Sequence, residues 1–309
     1  MNKVSVIGSG QVGSTCANLL VLRTLADVVL VDVVEGLPQG KALDIMQSAS
    51  ILGFSSRITG TNDFGEIAGS DIVVITAGSA RKPGMTRADL LKVNAQVLKS
   101  VVNEIVLHAP ASIILVVTNP VDVMAYFAHK VSGFDSQRVI GVSGVLDSAR
   151  FDFFLSEELG IPAVDVDSMV IGAHDDTMIP LINYSKARGE PVSKLLSPGV
   201  LDRLIERTKT GGAEIVSCLE TGSAFYAPGA SAASTAEAVL TDKRNVLPAS
   251  AYLSGQYGLS DLYIGVPCKI GREGILDVME IELTEDEEEQ LRRSAQAVVE
   301  SMKALGGLY

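Results

Sequence analysis

The stretch Lys3-Val4-Ser5-Val6-Ile7-Gly8-Ser9-Gly10-Gln11-Val12-Gly13 decides the fold of the first half of the chain. A short apolar run breaks off at Gly8 and three glycines follow in Gly-x-Gly-x-x-Gly spacing. A helical pattern then leads to a second apolar run, Val28-Val29-Leu30-Val31, which ends in Asp32. This spacing predicts a strand that turns sharply into a helix. The first glycine permits the tight turn, the second lets a pyrophosphate approach the backbone, and the third lets helix and strand pack closely. The free N–H groups and positive dipole end of that helix suit the anion. Asp32 lies 19 residues beyond Gly13, where a carboxylate accepts hydrogen bonds from ribose hydroxyls and repels a 2′-phosphate. Gly8, Ser9, Gly10, Gln11, Val12, Gly13 and Asp32 therefore read as a dinucleotide site that prefers NAD to NADP.

Working outward, Gly36 to Met46 is a turn feeding a helix, and Arg57 to Thr59 is a short strand. Ile72-Val73-Val74-Ile75-Thr76-Ala77-Gly78 is an unbroken apolar strand ending in small residues, which let a ligand approach the backbone at the carboxyl edge. A helix follows, with Leu90, Val93, Val97, Val101 and Ile105 at helical spacing and Thr86 as its cap. Ser112 to Val117 is another buried strand, ended by Thr118-Asn119-Pro120, and Gln137 to Val142 adds one more. Strands alternating with helices give a doubly wound parallel α/β sheet, a Rossmann domain over residues 1–143.

Residues 144–309 have a different texture and predict an α+β second domain. A helix from Gly144 to about Leu159 precedes a strand over Val164 to Ile171. Helices over Val200 to Leu219 and Ser231 to Leu240 lead to extended stretches near Val246–Leu253, Asp261–Ile270 and Ile275–Leu283. Thr284 opens a final helix with Glu287 completing a capping box.

The net charge of −12 leaves no basic surface for nucleic acid or an anionic membrane. An acidic protein that binds a small anion must use a few local arginines. The apolar runs, such as Ile113 to Val117, fall far short of a membrane span. Cys16, Cys218 and Cys268 are odd in number, far apart and without metal spacing, which fits reduced thiols in the cytoplasm.

Of three histidines, His108 and His129 lie at predicted helix ends, where a cation suits the dipole. His174 differs, because it follows an apolar strand and precedes Asp175-Asp176, and histidine is the side chain best suited to proton exchange near neutrality. Asp147 and Arg150, three apart, share one helix face. They are either a surface ion pair or a division of labour, with the acid fixing a histidine and the guanidinium gripping a carboxylate. Arg81, Lys82 and Arg87 sit in a polar segment with Pro83 and Gly84, either a solvated loop or a source of anion contacts.

Five motifs carry a resemblance that runs nearly end to end: Gly8–Gly13, Pro38-Gln39-Gly40-Lys41-Ala42-Leu43-Asp44, Arg81-Lys82-Pro83-Gly84-Met85-Thr86-Arg87, Thr118-Asn119-Pro120, and Gly144-Val145-Leu146-Asp147-Ser148-Ala149-Arg150-Phe151. With them the chain resembles the malate dehydrogenases of the lactate-dehydrogenase-like class, in the lactate/malate dehydrogenase family. The resemblance implies that His174 takes a proton from the malate hydroxyl as hydride leaves carbon 2 for NAD, with Asp147 orienting the imidazole. It implies that Arg150 binds the carboxylate beside the reacting carbon, that Arg87 on a mobile loop polarises the carbonyl, and that Asn119 holds the reacting oxygen. Asn94, Val117, Thr118 and Asn119 are expected around the cofactor, and self-association is expected. Arg81 stands where lactate enzymes of the family carry Gln, so it points to the second carboxylate of malate and oxaloacetate. Lactate dehydrogenase and a non-catalytic NAD sensor are the alternatives. One departure is Asp175, where the family has glycine; it predicts a backbone angle that favours glycine and a carboxylate near the histidine.

Overall fold

The computed structural model describes residues 2–79, 87–306 and 308, without the side chains of residues 87 and 88. Arg81, Lys82 and the expected cap Thr86 lie outside the described residues.

The chain opens with β1 (Lys3–Ile7), α1 (Gln11–Leu22), β2 (Asp27–Val31), α2 (Leu37–Gln47), the single turn α3 (Ala49–Leu52) and β3 (Ile58–Thr61). It then crosses back through β4 (Ile72–Ile75), α4 (Arg87–His108), β5 (Ile113–Val116), α5 (Val121–Ser132) and β6 (Val139–Gly141). These six strands are parallel in the order β6-β5-β4-β1-β2-β3. The strand order reverses between β1 and β4, so a crevice opens outside their carboxyl ends, where open α/β sheets bind ligands. The apolar runs are buried on both faces because alternate residues feed opposite layers. Ile72 and Val74 pack with Leu20 and Ala236, while Val73 and Ile75 pack with Leu98 and Val102.

The second half runs through α6 (Gly144–Leu159), β7 (Val166–Ile171), β8 (Ile179–Ala187), β9 (Glu190–Pro191), α7 (Val192–Leu195), α8 (Pro198–Leu219) and α9 (Tyr226–Leu240). Strands β10 (Asn245–Ser254), β11 (Ser260–Gly271) and β12 (Gly274–Val278) and helix α10 (Glu285–Lys303) complete it. β7, β8 and β9 form a small antiparallel sheet. β10, β11 and β12 instead extend the first sheet, with Ser250 of β10 pairing antiparallel to Gly141 of β6. Thr284 caps α10 in the expected capping box with Glu287.

Several details differ from the sequence pattern. β8 carries no clean alternation and was not expected. β12 ends at Val278 rather than near Leu283. α9 begins at Tyr226 rather than Ser231, because Pro228 is tolerated in a first helical turn and Gly229 lies against α1, where a Cβ would come 2.7 Å from Thr15 Cβ. α4 is rolled by about one residue: Leu91, Ala95, Leu98, Val102 and Ile105 are buried together with Val101, while Leu90, Val93 and Val97 are only half-buried. The roll turns the buried Asn94 toward the strand ends, which is where the site lies.

Candidate active site

The three glycines after β1 do three different things. Gly8 has φ +104°, and a Cβ on it would come 2.7 Å from Thr76 Oγ1 and 2.8 Å from Ala77 N. A Cβ on Gly13 would run into the carbonyl oxygen of Gly8, which ties the start of α1 to the end of β1. Gly10 faces open space, with nothing within 4 Å of a Cβ position. α1 has no acidic residue in its first turn and no side chain capping it, so its leading N–H groups are left for an anion. Asp32 Oδ2 accepts from Ser9 N at 2.6 Å and Oδ1 from Val34 N at 3.0 Å. These bonds clamp the glycine corner to the end of β2. A carboxylate has about four acceptor positions, so others remain for ribose hydroxyls. The residues present thus fit a dinucleotide.

The ends of β4 and β5 form the floor. The Asn94 side chain is committed at both ends to backbone: Oδ1 accepts from Ser79 N at 2.8 Å and Nδ2 donates to Asn119 O at 2.9 Å. Thr118 is buried and its hydroxyl donates to Ala77 O at 2.7 Å. Asn119 is exposed at the carboxyl edge, its bond to Pro120 is cis, and α5 starts directly beyond.

Across the crevice stands His174, just after β7. Its Nδ1 is 2.7 Å from Asp147 Oδ2, and Arg150 Nη1 donates to Asp147 Oδ1 at 3.3 Å. Asp147 is only 2% exposed, so this is no surface ion pair. Burial pulls the imidazole pKa down, but the charge and hydrogen bond of Asp147 outweigh it, and the net shift is upward. With Nδ1 spent on Asp147, Nε2 is the nitrogen left for a substrate. Among the described residues the buried Arg150 Nε has no partner, which leaves a donor for something else. A cavity of about 690 Å³ connects these parts, lined by Val12, Val117, Asn119, Leu146, Arg150 and His174 among others.

One further residue that no sequence motif singled out holds the histidine, with a second behind it. Asp122 Oδ2 accepts from His174 N at 2.9 Å, and Asp122 Oδ1 accepts from Ser250 Oγ at 2.6 Å. An acid two residues after Pro120 reads, in sequence, only as dipole compensation in a first helical turn. His108 and His129 do sit in the last turns of α4 and α5, and His108 pairs with Glu104 at 3.4 Å. Arg87 is the first residue of α4.

The expectation for Asp175 needs correction. It is not among the described residues with positive φ, so its backbone makes no demand for glycine. Its Oδ1 accepts from Thr177 N at 2.8 Å and Thr177 Oγ1 at 2.6 Å, an Asx turn. The main charges acting on the imidazole are those of Asp147, Arg150 and Asp122, and Asp175 lines the same cavity as His174.

Residues 2–141 match the model of the lactate/malate dehydrogenase NAD binding domain, and residues 144–305 that of the lactate/malate dehydrogenase alpha/beta C-terminal domain. The chain belongs to the lactate/malate dehydrogenase family. It is 50% identical over 305 residues to the malate dehydrogenase of Methanosarcina mazei, covering 99% of each. Among solved structures, the malate dehydrogenase of Cryptosporidium parvum superposes with a TM-score of 0.95 at 43% identity, covering 98% of both chains. The lactate dehydrogenase of the same organism, solved with lactic acid and NAD, superposes with a TM-score of 0.94 at 41% identity, over 99% of this chain and 98% of that one. As a family member the protein is an oxidoreductase with NAD as its cofactor. Fold similarity does not separate the two activities. Among the described residues no helix is long and apolar enough to cross a membrane.

Proposed function

We propose that the protein is a malate dehydrogenase, interconverting (S)-malate and oxaloacetate with NAD. The observation that carries this reading is the buried Asp147–His174 pair facing one cavity with Arg150 and Asn119. In the oxidation, His174 Nε2 takes the proton of the substrate hydroxyl, and Asp147 stabilises the imidazolium that forms. In the reduction the same nitrogen returns the proton. Arg150 pairs with the carboxylate beside the reacting carbon through its free guanidinium edge. The Asn119 amide holds the reacting oxygen, and Arg87 polarises the carbonyl. NAD, held at Gly8–Gly13 and Asp32 with Asn94 and Val117 to Asn119 shaping its floor, supplies the two-electron acceptor for carbon 2. The apolar side chains of Val12, Val117, Val142 and Leu146 keep water from the reacting centre.

Arg81 supports malate over lactate, because a guanidinium there pairs with the second carboxylate of the dicarboxylic acid. The names of the relatives that are about 50% identical support the same choice. Two domains, 1–143 for the cofactor and 144–309 for the substrate, a cytoplasmic location and self-association belong to the same reading. NADH oxidation followed with oxaloacetate and with pyruvate tests it. Faster turnover of pyruvate makes the protein a lactate dehydrogenase, and turnover of neither makes it a non-catalytic NAD binder.

A further inference from the structure

We propose that Asp122 is a positioning residue for the reaction: its buried carboxylate anchors the backbone that carries His174 and sets a negative charge behind that imidazole. Asp122 is only 4% exposed, and a carboxylate is rarely buried so deeply without a specific partner. An exposed acid in the first turn of α5 would satisfy the helix dipole equally well, so the dipole does not explain the burial. Desolvation pushes the carboxyl pKa up to about 6, against the pull of its hydrogen bonds to Ser250 and His174.

The geometry shows what the buried charge holds. Oδ2 takes the His174 N–H at 2.9 Å and Oδ1 takes the Ser250 hydroxyl of β10 at 2.6 Å. Asp122 itself stands three residues beyond Asn119, which lines the cavity. One carboxylate thus links the turn that presents Asn119, the residue that presents the imidazole, and the strand that extends the central sheet. Asp147 sets the orientation of the His174 ring, and Asp122 sets the position of its backbone. The titratable groups facing Asp122 are His174 and Asp175, both from the corner after β7, while β10 presents only the Ser250 hydroxyl. In turn the negative charge of Asp122 favours imidazolium, alongside Asp147 and against Arg150.

The proposal rests on the reading of His174 as the proton carrier, and one set of variants separates the two. In Asp122→Asn the carboxamide oxygen can still accept from His174 N–H while its NH₂ donates to Ser250, so the anchor stays and the charge goes. With only three histidines in the chain, comparison with His174→Asn assigns the ring resonances of His174. In the protein without cofactor, the NMR titration midpoint of His174 should fall by roughly half a unit or more in Asp122→Asn, and by less in Ser250→Ala, where the carboxylate loses one stabilising partner. In turnover, oxaloacetate reduction needs protonated His174, so its alkaline limb should move to lower pH in step. Asp122→Ala removes the anchor and should lower kcat by about ten- to a hundredfold while NADH binding, read by fluorescence, stays within about twofold. An unmoved His174 midpoint in Asp122→Asn overturns the proposal, as does one in Ser250→Ala should the Asn variant not fold, or native kcat in Asp122→Ala. Native turnover in His174→Asn overturns the reading of His174 instead.

Discussion

The glycine corner at Gly8–Gly13 draws its parts from one continuous stretch and one strand end, whereas the histidine corner gathers Asp122, Asp147, Arg150, His174 and Ser250 from three separate elements and the corner after β7. The first offers backbone groups. Its demands are for missing side chains at Gly8 and Gly13 and for uncapped N–H groups at the start of α1. The second works with side chains whose pKa values and directions depend on neighbours far away in sequence. A backbone anion site tolerates change around it as long as the spacing holds, while a proton-transfer site depends on every contact that sets its charge and position.

The comparison can be broken first at His174. His174→Asn should lower turnover by about 10²- to 10⁴-fold with NADH binding retained, because only the side-chain corner is touched. Steady-state rates and fluorescence titration of NADH check this, and an equal loss of binding would mean the corners are not separable. Arg81→Gln should come next in size. On the proposed role of Arg81, a closed site holding pyruvate leaves a charge without its partner, which costs roughly 3–5 kcal/mol, so losing that discrimination should lower the oxaloacetate-to-pyruvate ratio of kcat/KM by about 10²-fold or more. An unchanged ratio at one pH and salt concentration removes Arg81 from substrate choice. Gly13→Ala strikes the backbone corner. A methyl forced against the Gly8 carbonyl costs about 1–3 kcal/mol, so calorimetry should show NADH affinity lower by about tenfold and a lower Tm. Asp175→Gly should do least. It removes an Asx turn and frees the unfolded chain, costing about 1 kcal/mol in denaturant unfolding, and it should move the His174 titration midpoint less than Asp122→Asn does.

Legibility followed the same division. The Gly-x-Gly-x-x-Gly turn, the acid at Asp32, the helix Gly144–Leu159 and the capping box at Thr284 were all readable, because each is set by residues close together in the chain. His174 and Asp147 were picked out by residue type, by helix spacing and by family motif. The 2.7 Å contact between them spans 27 positions and needed the fold. Asp175 misled because an unusual residue suggests an unusual backbone, and the structure gives it an ordinary one. Asp122 was silent because an acid in a first helical turn has a sufficient local explanation.

The sequence by itself determined the parallel α/β order of β1 to β6, the place of the glycine turn after β1 and the residue types available at the histidine corner. Strand periodicity, glycine spacing and helix caps are local, and local interactions survive being read one window at a time. Only the tertiary structure decided that β10 to β12 extend the first sheet, that α4 rolls Asn94 toward Ser79 and Asn119, and that a buried Asp122 stands behind His174. Those outcomes depend on which surfaces pack together and which buried polar groups must find partners, and such partners are chosen across the whole chain.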